Sequence, residues 1–227
     1  MSDAIGRQFG DGPLSRGAAL VYSLLVVELL FLVTTVPGLV PLLLLGSDLS
    51  NLPLAAACAI PIGPALSAAL YALHHHRGDL TDLTPATAFW RGYRTNLAAV
   101  LRIWLPLLGW LTILAVGLVH FDATGLPGWW AVLLVVIAVA VTLCGTNALV
   151  ITSLFHFRTR DVLRLALYFL VHTRGVTLGN AGLLVAAASV IWMSSEAVLA
   201  LLGSVLALAL LTTCRPMTSK IQEEFTA

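Results

Sequence analysis

Every lysine and arginine of this chain falls in or beside alternate gaps between apolar runs, and that segregation limits the possible folds more than any other feature. A hydrocarbon layer of about 30 Å needs roughly 20 apolar residues at ~1.5 Å each. Six segments approach that length: 18–45, 54–73, 101–121, 129–154, 176–193 and 197–213. Arg7 and Arg16 precede the first. Arg77, Arg91, Arg94 and Arg102 lie between the second and third or just inside the third. Arg158, Arg160, Arg164 and Arg174 lie between the fourth and fifth, and Arg215 and Lys220 follow the sixth. The opposite gaps hold only the acids Asp48, Asp122 and Glu196. The positive-inside rule then places both termini in the cytoplasm, and five or seven spans would break the pattern. The expected class is all-α: a polytopic helical membrane protein of about six spans, N-in and C-in, with residues 1–227 as a single integral domain.

Composition supports this. With 59% hydrophobic and 10% charged residues and a mean hydropathy of +0.96, there is too little polar surface to cover a soluble globule. A net charge of +1 points to no nucleic-acid partner. Cys58, Cys144 and Cys214 have no paired spacing and read as small apolar residues, not a disulfide framework or metal site. The polar lead before the first run, and the length of that run, suit an uncleaved first span.

Two gaps carry amphipathic helices expected to lie on the cytoplasmic interface. In the first, Thr84 caps a helix with Pro85 at its first position. Ala88, Phe89, Trp90 and Tyr93 then face lipid, and Thr87, Arg91 and Arg94 face water, with Asn96 at its end. In the second, Asp161, Arg164, Tyr168 and His172 form a polar stripe against Val162, Leu163, Leu165, Leu167, Phe169 and Leu170. The chain then reads as a repeated unit of span, surface helix, span, offset by about eighty residues.

Within the spans Glu28 stands out, about 15 Å deep by helix rise, where an ionised carboxylate costs several kcal/mol. It is either glue to a partner such as Thr142, Asn147 or Ser67, or an ion or substrate site. As glue, Glu28→Gln is expected to leave folding near normal. Asn147 and Asn180 lie at matching depths and read as interhelical glue. Pro37, Pro41, Pro61, Pro64 and Pro106 break or bend spans, and Gly63-Pro64 opens a kinked, small-sided helix suited to close packing, with a cavity at the kink as the alternative. His74-His75-His76, with His156 and His172 on the same side, reads as a solvated turn, because consecutive helical residues diverge. No catalytic, cofactor or metal-binding motif is present, so no enzyme activity and no cofactor are expected.

The segments Glu28 to Pro37, Ile62-Gly63-Pro64-Ala65 through Ala68-Ala69-Leu70-Tyr71, and Phe89 to Asn96 resemble the YesL-like family of bacterial integral membrane proteins (domain of unknown function 624). The likeness covers the first half well and the second only by architecture. Glu28 stands where that family tends to have Asn, Pro61 replaces a Thr, and the stretch between Pro37 and Pro61 is longer. The resemblance implies a bacterial plasma-membrane protein with an accessory role in carbohydrate uptake or use. Its partners would be the lipid bilayer and a sugar transporter of the ATP-binding-cassette type, or a second copy of itself. The alternative is a small transporter or channel built on Glu28 and the kinked second helix.

Overall fold

The computed structural model describes residues 13–45, 49–75, 85–155, 157–193, 198 and 201–225, and every regular element among them is helical. In chain order the α-helices are α1 (Pro13–Leu44), α2 (Leu52–Cys58), α3 (Ile62–His74), α4 (Pro85–Val119), α5 (Trp129–Leu154), α6 (Thr159–His172), α7 (Arg174–Met193) and α8 (Gly203–Phe225). The expected sites at Arg7, Asp48, His76, Arg77, Thr84, His156 and Glu196 lie outside the described residues.

Five stretches are long and apolar enough to cross a membrane: Gly17–Leu44, Leu52–His74, Pro85–Val119, Trp129–Leu154 and Arg174–Met193. The sixth expected run, 197–213, differs. Within it Val198 is helical, Leu201 and Leu202 form a turn, and a helix then runs from Gly203 past Arg215 and Lys220 to Phe225. From Gly203 to Thr213 it rises about 16 Å, half a bilayer.

Proline explains less of the geometry than expected. α1 runs unbroken through Pro37 and Pro41, and α4 through Pro106. The one interruption among these prolines comes at Ala59-Ile60-Pro61, between α2 and α3. There the chain tightens into turns, with Ile60 N–H donating to the Ala57 carbonyl and Ile62 N–H to that of Ala59.

The first amphipathic segment is helical, but it is not a separate surface helix. Residues 85–96 continue without a break into the third span as one 35-residue helix. The reason is a single inward stripe, Phe89, Gly92, Asn96, Val100 and Ile103, all buried, which keeps helical spacing across the boundary where a surface helix would have to turn. The second segment is the separate helix α6, and it has three faces. Val162, Ala166 and Phe169 are buried. Leu163, Leu167 and Val171 are exposed and apolar, while Arg160, Asp161, Arg164, Tyr168 and His172 are exposed on the polar side. A helix that packs one face on a bundle, shows one to hydrocarbon and one to water has the geometry of the membrane interface.

The C-terminal ends of α3, α5 and α8, the N-terminal parts of α4 and α7, and α6 meet at one end of the bundle, the cation-bearing end, with Arg91, Arg94, Arg164, Arg174, Arg215 and Lys220. Most of the hydrophobic core lies there, with Leu70, Phe89, Ile151, Phe169, Met217 and Ile221 in one buried cluster. The buried runs of α3 (63–73) and α5 (143–153) are offset by eighty residues, but the expected repeat of span, surface helix and span is not reproduced, because its first surface helix is continuous with the following span. Trp110, Ile113, Val132, Val136, Leu178 and Val185 are exposed along the outer surfaces of the spans, as suits a hydrocarbon surround.

Candidate functional site

Glu28 meets neither Thr142, Asn147 nor Ser67. Its carboxylate accepts two backbone hydrogen bonds from the first residues of α8, Ser204 N–H at 2.6 Å and Gly203 N–H at 3.3 Å. The first N–H groups of a helix lack internal partners, and here Gly203 and Ser204 are buried in an apolar bundle, so the carboxylate supplies their acceptors. The positive end of the α8 dipole faces the carboxylate and substitutes for the deep Lys or Arg that the sequence lacks. Gly203 permits the approach, since a Cβ there would come within 2.5 Å of Phe31 Cδ1. The expected partners are engaged elsewhere: Thr142 Oγ1 donates to the Ala138 carbonyl (2.7 Å), Asn147 pairs with Asn180, and Ser67 pairs with Ser153.

Because two donors converge on position 28, a glutamine there replaces only one acceptor, which alters the expected outcome of Glu28→Gln. The depths of the two helices agree. Glu28 lies twelve residues from Arg16 on α1, and Gly203 lies twelve residues from Arg215 on α8, each distance about 18 Å along a helix.

Asn147 and Asn180 do meet, both buried, with Asn180 Nδ2 donating to Asn147 Oδ1 at 3.0 Å. The Cys214 thiol donates to Asn180 Oδ1 at 3.7 Å, which adds α8 to the clasp. Asn147 Nδ2 is buried without a partner. A second polar knot ties α3, α4 and α5 together. Asn96 Nδ2 donates to the Ser153 carbonyl (3.1 Å), and Ser153 Oγ donates to Ser67 Oγ (2.8 Å). Asn96, expected at the interface, is thus buried, while Trp90, Arg91, Arg94 and Arg164 are exposed at the cation-bearing end.

Gly63 and Pro64 are both buried at the start of α3. A Cβ at Gly63 would lie 2.5 Å from Trp104 Cγ, so the glycine admits the indole ring. That ring then donates Nε1–H to the Ala59 carbonyl at 3.1 Å, which compensates the backbone at the break before Pro61. His74 and His75 are exposed at the end of α3, with the His75 ring 4.1 Å from that of Tyr71 and tilted 31° to it, and His172 stacks on Tyr168 at 4.0 Å. Among the described residues no three His, Cys, Asp or Glu side chains are grouped to hold a metal ion.

Away from the cation-bearing end the bundle loosens around a cavity of about 380 Å³. Its walls include Phe31, Thr35 and Leu39 of α1, Ile62 and Leu66 of α3, Trp104, Leu107 and Leu111 of α4, Thr146 of α5, Leu183, Leu184 and Ala187 of α7, and Gly203 of α8. The kink before α3 therefore does border a cavity, but an apolar one. The polar residues on its wall turn inward: Thr35 Oγ1 donates to the Phe31 carbonyl (2.8 Å), Thr146 Oγ1 to that of Thr142 (2.9 Å), and Asn180 to Asn147.

Sequence reasoning missed Gly203, Ser204, Trp104 and Ser153. The one available signal was Gly203-Ser204 inside an apolar run, a small polar pair suited to a helix start.

Residues 24–118 match a family described as a protein of unknown function, DUF624, the family of the YesL-like membrane proteins. The match takes in Glu28, Gly63-Pro64, Phe89 to Asn96 and Trp104, and it ends within α4. No curated protein and no solved structure matches the chain.

Proposed function

We propose that this chain, matched through its first half to a family with no assigned activity, is a non-enzymatic six-span protein of the bacterial plasma membrane. Both termini lie in the cytoplasm, and the protein assists carbohydrate uptake or use without carrying a substrate itself. The observation that supports this over a transport role is the occupation of Glu28. Both carboxylate oxygens accept N–H groups of α8, and the neighbouring cavity is lined mainly by aliphatic and aromatic side chains, with its Thr and Asn donors bonded within the protein. A carboxylate that handles protons or cations needs a wet or polar route, and these contacts supply a cap instead. The topology rests on the segregation of the twelve Lys and Arg residues. The carbohydrate role rests on the YesL-like resemblance, whose members accompany sugar-uptake systems of the ATP-binding-cassette type. A sugar transporter of that type is the partner this reading names, and self-association is the alternative.

A competing reading, a small transporter or channel, draws on the start of α8 at Gly203 within an apolar run, since interrupted helices build substrate sites in many carriers. Two measurements decide between them. Removal of the protein from its host should lower uptake of a labelled sugar while the transporter subunits remain present. The purified protein alone in vesicles should accumulate no sugar. Uptake by those vesicles, abolished by Glu28→Gln in a folded protein, would establish the competing reading.

A further inference from the structure

We propose that the cavity is a binding site for one hydrocarbon chain of a membrane phospholipid, entering from the leaflet remote from the cation-bearing end. Three observations carry this. First, the wall hydroxyls of Thr35, Thr142 and Thr146 all donate to carbonyls of their own helices, and the Asn180 amide is held by Asn147. The wall therefore presents methyl and methylene groups and no free donor to water or sugar. Second, a dry cavity of about 150 Å³ already holds benzene, and this one, at about 380 Å³, has more than twice that volume. In a bilayer the apolar material at hand to fill it is acyl chain. Third, its wall follows α7 from Asn180 to Ile191, about 16 Å along the helix, the depth of one hydrocarbon leaflet.

The geometry also gives the way in. The walls form a ring in the order α1, α4, α5, α7, α8, with α3 inside it, and the sparsest joint is that between α5 and α7. The polar clasp of that joint, Asn147 with Asn180, closes it toward the cation-bearing end. Beyond the clasp, Leu183, Leu184 and Ala187 line the cavity beside outward-facing Val185.

The test uses the full-length protein in phosphatidylcholine vesicles containing a small fraction of phosphatidylcholine with a diazirine at the end of one acyl chain. After irradiation, peptide mass spectrometry should find adducts on Leu111 and Leu184 as well as on the lipid-facing Val135. Ala187→Trp, which fills the cavity, should lower the Leu111 adducts several-fold and leave those on Val135 unchanged. Leu183→Phe is the milder filling should the tryptophan disturb folding. Intact-mass measurement of the wild type from mild detergent should show one retained phospholipid, absent from the filled variants. The proposal is overturned if adducts appear on Val135 but not on Leu111 and Leu184, if neither filling changes the Leu111 adducts, or if a diazirine fatty acid labels the cavity and the phospholipid does not.

Discussion

Replacing Glu28 tests whether the carboxylate is a helix cap. In Glu28→Ala both Gly203 and Ser204 N–H groups lose their acceptor inside the bundle. A buried donor left unsatisfied costs about 1–3 kcal/mol, so the pair should destabilise the fold by about 2–6 kcal/mol. Glu28→Gln keeps one oxygen, but its NH₂ faces the second N–H, so a loss of about 1–3 kcal/mol is expected. The neutral side chain also loses the favourable interaction with the α8 dipole, worth up to ~2 kcal/mol in partly buried sites. The protein carries its own reporter: Cys58 and Cys214 are buried, Cys144 is half-buried, and all three are free thiols. Thermal unfolding followed with a fluorogenic thiol reagent should therefore rank wild type above Gln and Gln above Ala. A Gln variant that melts with the wild type would refute the two-acceptor cap, whatever its transport phenotype.

Other contacts make narrower predictions. Trp104→Phe removes the N–H that meets the Ala59 carbonyl and should lower stability by about 1 kcal/mol, while Gly63→Ala drives a Cβ into the same indole and should cost about 1–3 kcal/mol; the same thiol assay reads both. Single-cysteine labelling in a Cys-less background should find position 160 accessible from the cytoplasm and position 122 from outside, and labelling of 122 only from inside would reverse the topology. Spin labels along α6 should show oxygen contact at Leu167 and Val171 but contact with a water-soluble nickel chelate at Arg164 and His172, and uniform water access at all four would remove α6 from the interface.

Much of the fold was legible because it follows from solvent. A hydrocarbon surround demands apolar runs of fixed length, and five of the six appear as helices long and apolar enough to cross. The three faces of α6 follow from the same demand, since its charged and apolar residues alternate at helical spacing. The joining of residues 85–96 to the third span was harder to see. The amphipathic pattern around Trp90 and Arg91 suits both a surface helix and the end of a longer one. What decides is the continuation Phe89, Gly92, Asn96, Val100, Ile103, which crosses the boundary expected between Asn96 and the third span at 101. Prolines misled for a related reason. Proline removes a donor wherever it stands, but whether the helix breaks depends on what else the neighbourhood offers, and at Pro61 it offers Trp104.

Glu28 marks the boundary of what side-chain reasoning reaches. Its depth was readable from ten residues of helix rise, and so was the need for a partner. A search for that partner among side chains finds Thr142, Asn147 and Ser67, all of suitable polarity. The actual donors are backbone groups, and they carry no residue type to search for. They become visible only when the sixth apolar run is recognised as turning at Leu201 and Leu202 and opening a helix at Gly203. Glu28 and that turn then explain each other: a helix opening inside the bundle needs an acceptor at its first turn, and a carboxylate there needs donors. Neither is tolerable alone, so a substitution at 28 and one that moves the start of α8 should be strongly non-additive.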